Sequence, residues 1–132
     1  MKQILVSILV LFLTACAGTQ VKPEDIRNAN FESRPTQAEA EAKIRAHLET
    51  VLIDPDSLRL SCNAPRKGWG RDNMFDKPIF GYLVVCSVNA KNRLGGYTGA
   101  KRHSYMFNGN YFKAFYSEYV GDGTGTHSGY LE

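Results

Sequence analysis

Hydrophobic positions along the chain change period several times, and each change marks an element. Ile4 to Leu13 is an uncharged, largely apolar run of ten residues, whereas a membrane-spanning helix needs about 20. Residues 16–35 carry few large apolar side chains and read as a flexible tether, stiffened locally by Pro23 and Pro35. Ala40, Ile44, Leu48, Val51 and Leu52 then recur at helical spacing, with Glu41, Lys43, Arg45 and Glu49 on the opposite side. Thr36-Gln37-Ala38-Glu39 has the form of a capping box, in which the Thr hydroxyl and the Glu carboxylate satisfy amides left over at a helix start. An amphipathic helix over 37–52 follows. Pro55 disfavours helical backbone at Asp54, and Asp54-Pro55-Asp56-Ser57 supplies turn chemistry.

Past that turn the period falls to two, with Leu58, Leu60 and Cys62 on one side of a short strand and Arg59 and Ser61 on the other. Residues 63–78, punctuated by Pro65, Gly68, Gly70 and Pro78, read as a long irregular loop. Residues 80–88 are apolar on both alternating sets, which predicts a strand buried on both faces at the centre of the sheet. Residues 97–107 and 111–119 are β-rich and joined by Asn108-Gly109, the pair suited to a type I′ hairpin turn. Residues 121–132 are Gly-rich and read as a loose tail. The order predicts an α+β domain over 36–120, one amphipathic helix packed on an antiparallel sheet of about four strands.

The first 15 residues add an address. Met1-Lys2-Gln3 is a short positive leader before the apolar run, the layout of a secretory signal. Leu13-Thr14-Ala15-Cys16 resembles the lipobox of bacterial lipoproteins. The resemblance implies a signal peptide over 1–15, cleavage before Cys16, and lipidation of Cys16, whose several acyl chains would hold the chain on a membrane durably. In that family an Asp after the lipidated Cys favours the inner membrane. Ala17 stands there, which implies the outer membrane, with the domain facing the periplasm. The chain has three cysteines. With Cys16 given to lipid, Cys62 and Cys86 remain as a disulfide pair for an oxidising compartment.

Residues 36–110 also resemble a group of small exported bacterial proteins of uncharacterised function. The resemblance rests on the DPxS turn at Asp54-Pro55-Asp56-Ser57, the Cys-bearing strand at Val85-Cys86, and an N-x-K-N-x-x-G-G-Y-x-G stretch from Asn89 to Gly99. It supports the fold and implies no activity. The glycines of that stretch have two readings, a tight connection between strands and a ligand-contacting loop.

Charge sharpens the picture. The net charge is only +3, but residues 24–56 hold eight acidic and four basic groups while residues 57–117 hold ten basic and two acidic. Arg66, Lys67 and Arg71 surround Trp69, and Lys91, Arg93, Lys101 and Arg102 surround Tyr97. Brought onto one surface, these nine residues would attract anions; the alternative is a solvated surface offset by the acidic helix, with Trp69 and Tyr97 as packing anchors.

No nucleophile and base, paired carboxylates, metal-ligand spacing or phosphate-cradling glycines stand at usable separations. Asp54 and Asp56 belong to a turn, and Gly68-Trp69-Gly70 lacks a third Gly, with Asn73 in its place. These patterns predict a non-catalytic protein with no cofactor or metal. It would be held on the membrane through Cys16 and would bind or brace an envelope protein, lipopolysaccharide or the cell wall. Nucleic acid suits the charge but not the compartment. Two alternatives stay open: an inhibitor or phage or conjugation exclusion lipoprotein acting through residues 63–78, and an accessory lipoprotein of an envelope machine.

Overall fold

The computed structural model describes residues 21–73, 75–116 and 127–131. The expected signal peptide over 1–15, Cys16, Tyr119 and residues 121–126 of the expected tail lie outside the described residues. The chain is α+β, with a short helix α1 (Pro23–Arg27), the main helix α2 (Gln37–Val51), a 3-10 turn (Pro55–Ser57), and strands β1 (Arg59–Cys62), β2 (Arg66–Arg71), β3 (Ile79–Asn89), β4 (Lys101–Asn108), β5 (Tyr111–Tyr116) and β6 (His127–Tyr130). Among the described residues no helix is long and apolar enough to cross a membrane.

Helix α2 begins as its sequence predicts. The Thr36 hydroxyl accepts from the Glu39 amide at 3.2 Å and the Glu39 carboxylate accepts from the Thr36 amide at 2.8 Å. Ala40, Ile44 and Leu48 are buried at the centre of the inner face. Each of the two larger side chains contributes about 1.5–3 kcal/mol by leaving water. They meet Val84, Cys86 and Val88 of β3 and Tyr105 and Phe107 of β4.

The sheet has six strands rather than about four, ordered β5-β4-β3-β2-β6, with β1 also on β3. All pairings are antiparallel. β3 is its centre, as the two-sided apolar run predicts. β1 and β2 pair with successive parts of one edge of β3, Cys62 opposite Cys86 and Arg66 opposite Leu83. Residues 63–65 therefore face only 84 and 85, a bulge in one bent strand, with Pro65 at a place where no ladder amide is required. The Cys62–Cys86 disulfide crosses this pairing with the Cα atoms 4.1 Å apart.

Two corrections concern glycine-rich strands. Residues 66–71 of the expected loop form β2, and residues 127–130 of the expected loose tail form β6, which pairs with β2. Their glycines admit side chains from neighbouring strands. A Cβ on Gly70 would lie 2.7 Å from two ring atoms of Phe115, and one on Gly68 would lie 2.7 Å from Leu83 Cβ. Phe115 is on β5, so it reaches Gly70 across β4 and β3, which requires the sheet to curl around its second core of Leu83, Met106 and Phe115. A Lys113–Asp72 ion pair and a 3.1 Å hydrogen bond from Ser128 to Ser104 span the same curl.

The hairpin is present with its turn shifted by one residue. Asn108 pairs with Tyr111, so Gly109 and Asn110 are the turn residues, and Gly109 has a φ of +56°. Among the described residues no non-glycine has positive φ, which fits a type II′ rather than a type I′ turn. The Asn108 side chain accepts from the Glu32 amide at 2.7 Å and donates to the Asn30 carbonyl at 2.9 Å. Phe31 packs edge-on against Tyr82 at 5.9 Å. The expected tether is thus docked on the sheet by residues 30–32. Strand β4 begins at Lys101 rather than at Tyr97, which instead forms an isolated bridge with Lys91.

Candidate functional site

The two sequence signatures, the DPxS turn and the Asn89–Gly99 stretch, meet in space. Ser57 joins them. Its hydroxyl donates to the Asp54 carbonyl at 2.7 Å and accepts from the Lys91 amide at 2.8 Å, and its carbonyl accepts from the Tyr97 hydroxyl at 2.8 Å. The loop beyond Lys91 is closed from within. Asn92 Oδ1 accepts from the amides of Leu94 and Gly96 at 2.9 and 3.2 Å, and the Asn92 amide donates to the Gly96 carbonyl at 2.9 Å. Gly95 takes a φ of +79°, which a side chain would resist. The loop therefore has fixed geometry, and it presents Leu94 at its tip, 94% exposed.

Between this loop and the C-terminal end of α2 lies a groove of about 660 Å³, within the range of small-molecule sites. Leu48, Leu52 and Val88 supply apolar floor, while Lys91, Asn92, Thr98, Lys101 and His103 supply polar and cationic walls. Val51 and Ile53 are also part of the lining and are 51% and 62% exposed.

The nine basic and aromatic residues named from sequence do not share one surface. Lys91 and Lys101 line the groove. Tyr97 anchors its loop, with Arg59 stacked 4.1 Å and the Lys91 Nζ 5.8 Å from its ring centre. Arg93 is exposed on the loop, and Arg102, opposite Ser87, lines a separate shallow pocket with Ser61 and Asn63.

The other cluster lies against aromatic rings. Arg66 lies 4.6 Å from the Tyr130 ring centre, Lys67 5.0 Å from that of Phe31, and Arg71, only 6% exposed, 5.3 Å from that of Trp69. Arg66 and Lys67 emerge on opposite faces, as neighbours on a strand must. Arg66 pairs with Leu83, Arg102 with Ser87 and Lys101 with Val88, so the clusters are separated by at least about 13 Å along β3.

Residues missed by the sequence reading are Val51 and Ile53 as exposed groove apolars, and Thr98 and His103 as wall residues. Val51-Leu52-Ile53 did carry a signal, since three consecutive apolar residues at a helix end exceed what one buried stripe needs. His103 Nδ1 lies 3.1 Å from the buried Tyr105 hydroxyl, which ties the groove wall to the core.

Two perturbed groups belong to structural contacts elsewhere. The Thr36 backbone amide, and then its hydroxyl, hold the Glu39 carboxyl below its ordinary value, and the hydrogen bond to Asp72 holds Lys113 above its own. Among the described residues no three His, Cys, Asp or Glu side chains come together as a metal site. No known protein family, curated protein or solved structure matches the chain.

Proposed function

We propose that this protein is a non-catalytic binding lipoprotein of the bacterial envelope, anchored through lipidated Cys16, that holds an envelope component in the groove between α2 and the Lys91–Gly99 loop. The observation carrying this reading is the Ser57 junction. One hydrogen bond closes the turn on itself and two tie it to a loop 34 and 40 residues further along the chain, and beside this junction lies an open, apolar, cation-walled groove. A fold needing only to brace would gain by closing such apolar surface against itself. The anchor supports the same polarity. Residues 30–32 dock beside Asn108 at the hairpin end, and the groove lies at the other end of β3 and β4, which points it away from the tether's point of attachment.

The inhibitor reading loses residues 66–71 from its loop of 63–78, because they are a strand inside the sheet. Unbiased crosslinking with mass spectrometry on the anchored protein in its native envelope tests the proposal, with Cys16→Ser as the unlipidated control. The expected result is crosslinks concentrated on residues 51–53 and 91–101, and their loss in the control. Crosslinks confined to the β2 end, or unchanged in the control, would overturn it.

A further inference from the structure

Resting on the Cys16 anchor of that reading, we infer that Phe75 is a second membrane contact, its ring seated in the lipid surface so that the domain stands with its groove outward. Among the described residues two large apolar side chains are almost fully exposed, Phe75 at 90% and Leu94 at 94%. They stand at opposite ends of β3, Phe75 just before Ile79 and Leu94 just after Asn89.

The covalent chain decides which end meets the lipid. Asn108 Nδ2 donates to the Asn30 carbonyl at 2.9 Å and to the Phe80 carbonyl at 3.4 Å, so one side chain holds both the end of the tether and the foot of the Phe75 loop. Pro23 is seven residues beyond Cys16, which keeps the two within about 25 Å. Helix α1 and the residues after it extend the reach from Cys16 to Asn30 to about 45 Å. β3 alone is about 35 Å long. With its groove end on the lipid, the domain would use most of that reach running back along the sheet; with its Phe75 end on the lipid, it uses little.

The loop also holds Phe75 out. The Asn73 side-chain oxygen accepts from the amides of Phe75 and Asp76 at 2.9 and 3.1 Å, and its amide group donates to the Asp76 carboxylate at 2.7 Å. The Lys113–Asp72 ion pair ties the start of the loop to β5. A ring on so fixed a backbone enters lipid at little ordering cost and leaves water in doing so. Tyr111, 43% exposed beside the hairpin turn at the same end, has the apolar ring and polar tip that suit the headgroup layer. One such ring holds a free protein to a membrane only weakly, but beside an acylated Cys16 it has only to orient a domain already there.

The competing account is a solitary exposed side chain with no partner, which is common on protein surfaces. The test reconstitutes the full lipidated chain into vesicles of phosphatidylethanolamine and phosphatidylglycerol, with and without phosphatidylcholine brominated in its acyl chains. Phe75→Trp reports on one end and Leu94→Trp, an equally exposed position, on the other, with the parent's single Trp69 as background. Phe75→Trp should show blue-shifted emission and at least about threefold more bromine quenching than Leu94→Trp, unchanged at high salt because the contact is apolar.

Equal quenching at the two positions, quenching at position 94 alone, quenching at neither, or quenching released by salt would overturn the inference. Intact mass of the envelope-derived chain separates the two failures. An acylated Cys16 without quenching at position 75 overturns this inference alone, whereas a Cys16 bearing no acyl chain overturns the anchored reading beneath it.

Discussion

Replacing Ser57 by Ala should uncouple the groove loop from the turn that supports it. The hydroxyl makes two hydrogen bonds, and they are not equivalent. The Asp54 carbonyl also accepts from the Ser57 amide at 3.2 Å, so it keeps a partner. The Lys91 amide donates to the hydroxyl at 2.8 Å in a partly buried position and would lose that bond. Leaving such a donor unpaired costs about 1–3 kcal/mol, and the hydroxyl's other bond adds about 0.5–1 kcal/mol. The expected loss is about 2 kcal/mol, or about 8 °C in Tm for a domain of this size.

Urea denaturation monitored by circular dichroism gives the stability, and hydrogen exchange gives the site. Exchange at Lys91 should accelerate far more than at Val84 in the core. Tyr97→Phe removes the third bond of the junction and should cost about 1 kcal/mol. Because both substitutions release the same loop, the double variant should lose less than the two single losses combined, by at least about 0.5 kcal/mol. A Ser57→Ala loss below about 0.5 kcal/mol, or strict additivity with Tyr97→Phe, would refute a single mechanical unit.

Other substitutions address the rest of the fold. Gly70→Ala should cost about 1–3 kcal/mol through overpacking against Phe115, and Phe115→Leu in the same chain should relieve part of it, as thermal melts would show. Gly95→Ala should destabilise by about 1 kcal/mol because of its positive φ, whereas Gly96→Ala, whose Cβ would meet nothing within 4 Å, should change the melt little. Opening the Cys62–Cys86 bridge with Cys62→Ser and Cys86→Ser should cost about 3.5 kcal/mol by chain entropy, measured in urea against the oxidised parent.

The pH prediction follows from Glu39, whose folded-state pKa lies below the ordinary 4.5. Its stabilisation is present above the unfolded value and is lost as pH falls through the folded one. Acid melts of Glu39→Gln should therefore lack the part of the pH dependence below about 4.5 that the parent shows.

What was legible in the sequence was what each segment supplies for itself. Thr36 and Glu39 cap α2 with their own side chains, and the two-sided apolar run of β3 announces a central strand. β2 and β6 supply little of their own second-face packing. Arg66-Lys67-Gly68-Trp69-Gly70-Arg71 looks like a loop because the space above Gly68 and Gly70 is filled by Leu83 and Phe115, residues no local pattern connects to it. The hairpin was legible to within one residue, since Asn108 was drawn out of the turn by its bonds to Asn30 and Glu32.

The candidate site divides the same way. Lys91, Tyr97 and Lys101 could be named from charge and aromatic content, but spacing alone could not separate them from Arg66, Lys67 and Arg71 at the other end of the sheet. Nor could it show that Val51 and Ile53 stand beside Lys91, because Ser57 brings them together through backbone and hydroxyl contacts common to many turns.

The most direct measurement is site-specific photocrosslinking in living cells, with a photoreactive residue placed in turn at Val51, Thr98 and Lys67 of the anchored protein. The groove account predicts one discrete adduct from positions 51 and 98, suppressed by Lys91→Glu with Lys101→Glu, and none from position 67. Adducts from position 67 alone, or adducts from 51 and 98 indifferent to the two lysines, would contradict it.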